Sequence, residues 1–185
     1  MLSENKREIV RKIPKKINKV RLKNIALYYL KRFETSKDNL KMVLRRRIDS
    51  YAYYDKNFDK SEAYLWVDEL LDDFVRLRYV DDTRFAEIKV RAYLAAGKSK
   101  RYIAVKLKEK GIDEILIDKI LQEQDYNAFD AALRLAKKKK IGPYSPTADI
   151  RYERRTKDLA ILVRAGFDYD TVIRVLEMEN ENVVC

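Results

Sequence analysis

The sequence contains no histidine, and its single cysteine, Cys185, is the last residue. Without histidine the chain has no Ser-His-Asp or Cys-His catalytic system, no imidazole proton shuttle and no histidine zinc ligand. A lone cysteine excludes a disulfide within the chain, as is usual in a reducing compartment. We therefore expect a cytoplasmic protein that is not an enzyme and that needs neither a cofactor nor a metal.

Glycine, proline and long apolar runs are also scarce. Four glycines and three prolines among 185 residues favour helices joined by short connections. The longest apolar run covers residues 159–163, far short of the roughly 20 residues that span a bilayer. The first 24 residues are basic and polar and lack the apolar core of a signal peptide. The sequence therefore predicts no membrane association.

Two carboxylate pairs, Asp72–Asp73 and Asp81–Asp82, are the candidates for a magnesium site in phosphoryl chemistry. Structural roles account for both pairs better. Asp81 and Asp82 precede an apolar-periodic segment, where a helix N-cap and a first-turn acid belong. Asp72 and Asp73 fall on the polar side of an amphipathic helix, and no glycine-rich phosphate loop occurs in the chain. These patterns favour binding without catalysis.

A repeat at an offset of 55 residues shows how the chain is organised. Leu107 to Asp113 reads LKEKGID, and Leu162 to Asp168 reads LVRAGFD. In each copy the glycine, Gly111 or Gly166, stands where a helix ends on a left-handed residue, and the aspartate after it suits the next N-cap. Helical apolar spacing continues after both copies. The pattern predicts an all-α fold of three tandem three-helix repeats, which resemble helix-turn-helix units and form an elongated array.

The apolar spacing divides the chain into five segments. We expect a basic N-terminal arm over residues 1–21 and a short tail over 181–185. Between them lie three repeats, at residues 22–80, 81–124 and 125–180. Ser36 is predicted to cap the second helix, and Ser50 to Lys60 to form a long connection after it.

Positive charge is concentrated and recurrent. Residues 1–58 hold 17 lysines and arginines against six acids, and later segments alternate in sign. Basic clusters that recur on stacked repeats form a stripe of cations, and such a stripe suits a polyanion such as DNA. Any single cluster is equally well explained as solvated surface. We expect each cluster at or near a helix end, where the macrodipole also favours cations. The clusters expected to face DNA are Arg45, Arg46 and Arg47; Lys98, Lys100 and Arg101; and Lys137, Lys138, Lys139 and Lys140. A further basic cluster lies earlier, at Lys12, Lys15, Lys16, Lys19 and Arg21.

Four short motifs, in order along residues 22–178, resemble those of the RecX family of RecA regulators. Ala26 to Phe33 reads ALYYLKRF, similar to the opening helix of the family. Arg78 to Ala86 reads RYVDDTRFA, with Tyr79, Asp81, Asp82 and Phe85 matching a family signature in which glycine is usual at the first position. The GKS at Gly97 with KGI at Lys110, and the AGFDYD that contains Gly166 and Phe167, complete the set.

The resemblance implies a modulator of recombination and repair in the SOS response. Such proteins are curved arrays of three-helix units. They lie in the groove of the filament that RecA forms on single-stranded DNA and oppose ATP hydrolysis, filament extension and strand exchange. RecA and single-stranded DNA, with duplex DNA as a further ligand, are thus the expected partners of a monomeric chain. Two other classes stay open from the residues themselves: a helical transcription factor that binds DNA, and a scaffold that binds protein.

Overall fold

In the computed structural model, which describes residues 14–178, the chain folds into nine α-helices and one short 3-10 helix, with no β-strand in this range. The prediction of an all-α fold is confirmed. The helices are α1 (Lys19–Leu30), α2 (Lys37–Tyr54), α3 (Lys60–Arg76), α4 (Asp82–Ala95), α5 (Lys100–Lys108), α6 (Glu114–Gln122), α7 (Ala128–Lys139), the 3-10 helix Gly142–Tyr144, α8 (Ala148–Arg164) and α9 (Tyr169–Glu177). The tail and the first 13 residues of the predicted arm lie outside the described residues.

Three separate groups of buried side chains hold the helices together in threes, as predicted for tandem three-helix repeats. Helices α1 to α3 enclose Leu22, Leu44, Leu71 and their neighbours. The second core lies among α4 to α6 and the third among α7 to α9 with the 3-10 helix. The chain divides into two compact units, Met1–Val80 with the first core and Asp81–Cys185 with the other two. These cores support our proposed repeat boundaries near residues 81 and 125.

Each α-helix within residues 14–178 begins at a side chain that accepts a hydrogen bond from the exposed backbone N–H groups of the first turn. The Ser36 hydroxyl accepts from Asn39 N–H and the Asp81 carboxylate from Arg84 N–H. Asp113 and Asp168 cap α6 and α9 in the same way. All four N-caps were predicted from sequence, because the signal is a local one.

Five helices end on a residue in the left-handed conformation, with the paired backbone hydrogen bonds of a Schellman motif. At Gly111 (φ 73°), Ile112 N–H donates to Leu107 O at 3.1 Å and Gly111 N–H donates to Lys108 O at 2.9 Å. Gly166 (φ 89°) repeats the arrangement, so the predicted role of both glycines is confirmed. The remaining three such ends are at Gly97, Arg78 and Lys140.

The first repeat departs from the predicted outline at two places. Helix α1 begins at Lys19, before the expected start at residue 22, because Asn18 caps it and Ile17 is already buried. The expected connection from Ser50 to Lys60 is wrong at its start, since α2 continues to Tyr54. Tyr51 causes the extension: its ring is buried and packs edge-on against Phe58, with the ring centroids 4.9 Å apart.

Across residues 14–178, no helix combines the length and the apolar character that crossing a bilayer requires.

Candidate nucleic-acid interface

The first predicted cluster, Arg45 to Arg47, lies in the middle of α2 and not at a helix end as expected. Arg45 is partly buried: its guanidinium lies 3.7 Å from an Asp68 carboxylate oxygen and 4.8 Å from the centre of the Tyr64 ring. Arg46 and Arg47 are exposed. The macrodipole does not explain cations in mid-helix, and of the three only Arg46 and Arg47 are fully presented to an external anion.

The second cluster surrounds the start of α5. Lys98 follows Gly97 at the end of α4, Ser99 caps α5, and Lys100 and Arg101 occupy its first turn. That turn contains no acid. The N-terminus of a helix carries partial positive charge, so an acid there stabilises the helix. Each cation at this end instead lowers the stability of the helix by roughly 0.3–1 kcal/mol. The expectation that helix-end stabilisation accounts for this cluster is therefore wrong for Lys100 and Arg101.

Each of the two lysines in this second cluster lies near an aromatic ring. The Lys98 ammonium lies 4.9 Å from the centre of the Tyr102 ring, and the Lys100 ammonium 5.5 Å from that of Tyr126. The Tyr126 ring belongs to the third repeat, and burial raises the pKa of its hydroxyl, which keeps the phenol neutral. The rings hold the ammonium groups near the surface without neutralising their charge.

The third cluster, Lys137 to Lys140, closes α7, and all four side chains are exposed. Here the macrodipole explanation holds, since cations stabilise the negative end of a helix. Arg134 was not predicted as part of the interface, but it stands one turn before Lys138 and beside Gly97. A Cβ atom built on Gly97 would lie 3.5 Å from Arg134 Nε. Arg134 therefore adds positive charge from α7 beside Gly97, the residue that precedes Lys98.

The cations of the three clusters, apart from Arg45, form no ion pair with a carboxylate in the part of the chain that the structure describes. These cations are Arg46, Arg47, Lys98, Lys100, Arg101 and Lys137 to Lys140. By contrast, a hydrogen bond from Lys106 to Glu109 raises the pKa of that ammonium, and Lys108 pairs with Glu114 at 2.5 Å. The uncompensated cations are the ones that an external polyanion would meet first.

The motif residues serve the fold. Asp81 caps α4 and Asp82 is the acid of its first turn, while Phe85 and Phe167 are buried. Tyr79 is 52% exposed, with its ring centroid 5.3 Å from that of Phe74. The other carboxylate pair is engaged by cations: Asp72 binds Lys37 at 2.8 Å and Asp73 binds Arg76 at 2.6 Å. Neither pair converges into a group that could hold a metal within residues 14–178.

Comparison with known proteins gives consistent matches. Residues 81–121 match the family model described as "RecX, second three-helix domain". The "Regulatory protein RecX" of Myxococcus xanthus is 35% identical over 176 residues, which cover 94% of each chain. The protein of that name from Legionella pneumophila is 30% identical over 75% of this chain and 89% of its own length. The crystal structure of RecX from Lactobacillus salivarius superposes with a TM-score of 0.61 at 20% identity, over 89% of this chain and 97% of that one.

Proposed function

Because this chain belongs to the RecX family of regulatory proteins, we propose that it binds the filament that the RecA recombinase forms on single-stranded DNA. The bound protein lies in the filament groove and lowers ATP hydrolysis, filament extension and strand exchange. It acts as a cytoplasmic monomer, by binding and without chemistry of its own. The match along 94% of a regulatory relative is the observation that carries this proposal.

The residues that we propose for the contact are the cations of the three clusters that have no carboxylate partner, those of each compact unit being considered by themselves. Lys100 and Arg101 support the proposal most strongly, because they occupy a helix N-terminus at the expense of local stability. A site that serves binding tolerates such a cost, whereas a purely solvated face has no reason to. Further charge without an ion-pair partner comes from Lys98, Arg46, Arg47 and the α7 lysines.

The direct test is ATP hydrolysis by RecA on single-stranded DNA, with and without this protein. We expect the hydrolysis rate to fall as the protein is added to preformed filaments. The assay is repeated with excess single-stranded DNA, which separates filament binding from simple competition for DNA. An unchanged rate at saturating protein would contradict the proposal, and inhibition that vanishes with excess DNA would reduce it to a DNA-binding protein.

A further inference from the structure

A groove on the first compact unit contains Lys16 and Arg21 of the early basic cluster, and it shares only Arg47 with the clusters that were expected to face DNA. It has a volume of about 620 Å³ and runs along α1, from Lys16 before the helix to Tyr28 near its end. Arg47 of α2 also lines it. A groove of this size falls in the range of sites that enclose small organic molecules, so it admits a nucleotide but not a base-paired duplex.

The lining of the groove is cationic and contains no acid. Its charged residues are Lys16, Arg21 and Arg47, and the side-chain amides of Asn18 and Asn24 add hydrogen-bonding groups. Helix α1 has no acidic residue in its first turn, so the positive end of its dipole is also uncompensated there. The groove therefore favours an anion, and its three cationic side chains favour one that carries several charges.

Apolar and aromatic surface distinguishes the groove from a simple phosphate site. Val20 and Ile25 line it, and Val20 is 69% exposed. Tyr28, at one end of the groove, is 60% exposed, and the Arg32 guanidinium lies 4.5 Å from the centre of its ring. Aromatic faces beside cationic groups are the arrangement on which unpaired bases stack while their phosphates are held.

From this combination we infer that the groove binds a short segment of single-stranded nucleic acid. Lys16, Arg21 and Arg47 contact its phosphates, and a base stacks on Tyr28. The inference rests on the single-stranded DNA contact of the proposed function and locates part of it in the first repeat. A double-stranded polyanion would offer phosphates but no free base face, so Tyr28 gives the site its preference for unpaired strands.

The charge part of the inference is tested on the full chain alone, with fluorescent oligothymidylate and no recombinase present. The variant Lys16→Gln/Arg47→Gln should weaken binding and make the logarithmic salt dependence less steep by about 1.4, because each lost phosphate contact removes about 0.7. The matched control is Lys37→Gln/Lys41→Gln. It makes the same change in net charge in the same unit, but its lysines pair with Asp72 and Asp68. Equal salt slopes in the two variants would overturn the assignment.

The stacking part is tested with Tyr28→Ala against Tyr53→Ala. Tyr53 is 76% exposed in the same unit and also carries a cation on its ring, Lys56 at 4.5 Å, but it lies outside the groove. Tyr28→Ala should lower the affinity for oligothymidylate about 10-fold, and Tyr28→Phe should not. On an abasic oligomer with the same phosphates, Tyr28→Ala should have no effect. A loss of equal size on the abasic strand, or with Tyr53→Ala, would overturn the stacking site.

These outcomes are separable from failure of the proposed function. If the chain binds oligothymidylate through the groove but leaves RecA hydrolysis unchanged, the groove stands and the proposed function fails. If hydrolysis falls while the groove variants bind single strands as the unaltered chain does, the groove inference fails alone. Helix content and melting temperature, measured by circular dichroism, confirm that each variant is folded.

Discussion

The hydroxyl of Ser99 donates a hydrogen bond to the carbonyl oxygen of Ala165, 66 residues later in the chain, at 2.6 Å. The same oxygen of Ser99 accepts from Tyr102 N–H at 3.1 Å and thereby caps α5. Ser99 is only 3% exposed. One small side chain therefore starts a helix of the second repeat and fixes the end of α8 in the third.

Replacing Ser99 by alanine should lower the free energy of unfolding by about 2–4 kcal/mol. The change removes a cap, which contributes about 1 kcal/mol, and leaves a carbonyl without its donor, which costs about 1–3 kcal/mol. Urea unfolding followed by circular dichroism measures the loss. Thr147→Ala is the control, because the side chain of the exposed Thr147 caps α8 through one hydrogen bond and makes no second one to the described residues. If the two variants lose equal stability, the bond to Ala165 contributes nothing.

Gly166→Ala should destabilise the protein more than Gly111→Ala, although both glycines end helices in the same way. A side chain at either site meets left-handed strain of about 1–2 kcal/mol. A Cβ atom on Gly166 would also lie 2.6 Å from Ser99 Oγ and 3.2 Å from Arg101 Cβ, whereas Gly111 is exposed. Equal losses in thermal unfolding would show that the space around Ser99 relaxes freely.

Replacing Gly111 by valine should lower the free energy of unfolding by about 1 kcal/mol or more, because valine is strained in the left-handed conformation. A neutral result in thermal unfolding would contradict the role of Gly111 as a left-handed helix end.

Arg78→Gly should stabilise the protein by about 0.5–1 kcal/mol. Arg78 ends α3 with φ 58°, a conformation that is strained for arginine but not for glycine. Glycine is also the usual residue at this position of the RecX motif that residues 78–86 resemble. Arg46→Gly, in the exposed middle of α2, should instead cost about 1 kcal/mol. A loss of stability in Arg78→Gly would mean that arginine contacts outweigh the backbone strain.

The cap at Asp168 should make stability depend on acid pH. Hydrogen bonds from the Thr171 backbone N–H, at 2.8 Å, and from its hydroxyl, at 2.7 Å, lower the pKa of the Asp168 carboxyl. The folded state thus favours the carboxylate, and this stabilisation is present above the ordinary pKa of about 3.9 and is lost as pH falls through the lowered value. Asp168→Asn keeps a capping oxygen but does not titrate. Its stability deficit at pH 7 should therefore shrink by pH 3; a deficit that is constant with pH would contradict the assignment.

Local chemistry explains which parts of the fold could be predicted from sequence. Gly111 and Gly166 mark helix ends, and Asp113 and Asp168 mark the starts that follow, because each signal is complete within a few residues. The end of α2 could not be found in this way. It depends on the burial of Tyr51 against Phe58, which follows a turn, and the Tyr- and Asp-rich sequence there is typical of a connection.

The candidate site was predictable as a set of basic clusters but not in its detail. Sequence spacing does not show that Arg45 is engaged by Asp68 and Tyr64, or that Lys100 lies against Tyr126 of the next repeat. The groove at Lys16, Tyr28 and Arg47 joins residues of two helices, so it exists only once α1 packs beside α2. Arg134 had a usable signal, its position one helical turn before Lys138.

The measurement that tests the central claim most directly compares binding and stability in the variant Lys98→Gln/Lys100→Gln/Arg101→Gln. The control is Lys106→Gln/Lys108→Gln/Arg155→Gln, which makes the same change in net charge at residues paired with Glu109, Glu114 and Glu177. Affinity for single-stranded DNA and for the RecA filament is titrated with salt, and melting temperature is recorded for both. The α5 variant should bind more weakly, with a salt slope less steep by about two. Its melting temperature should be unchanged or raised, because cations leave the positive end of α5. Binding with an unaltered salt slope, or a slope changed equally in the control, would contradict the claim that these cations form the polyanion-binding surface.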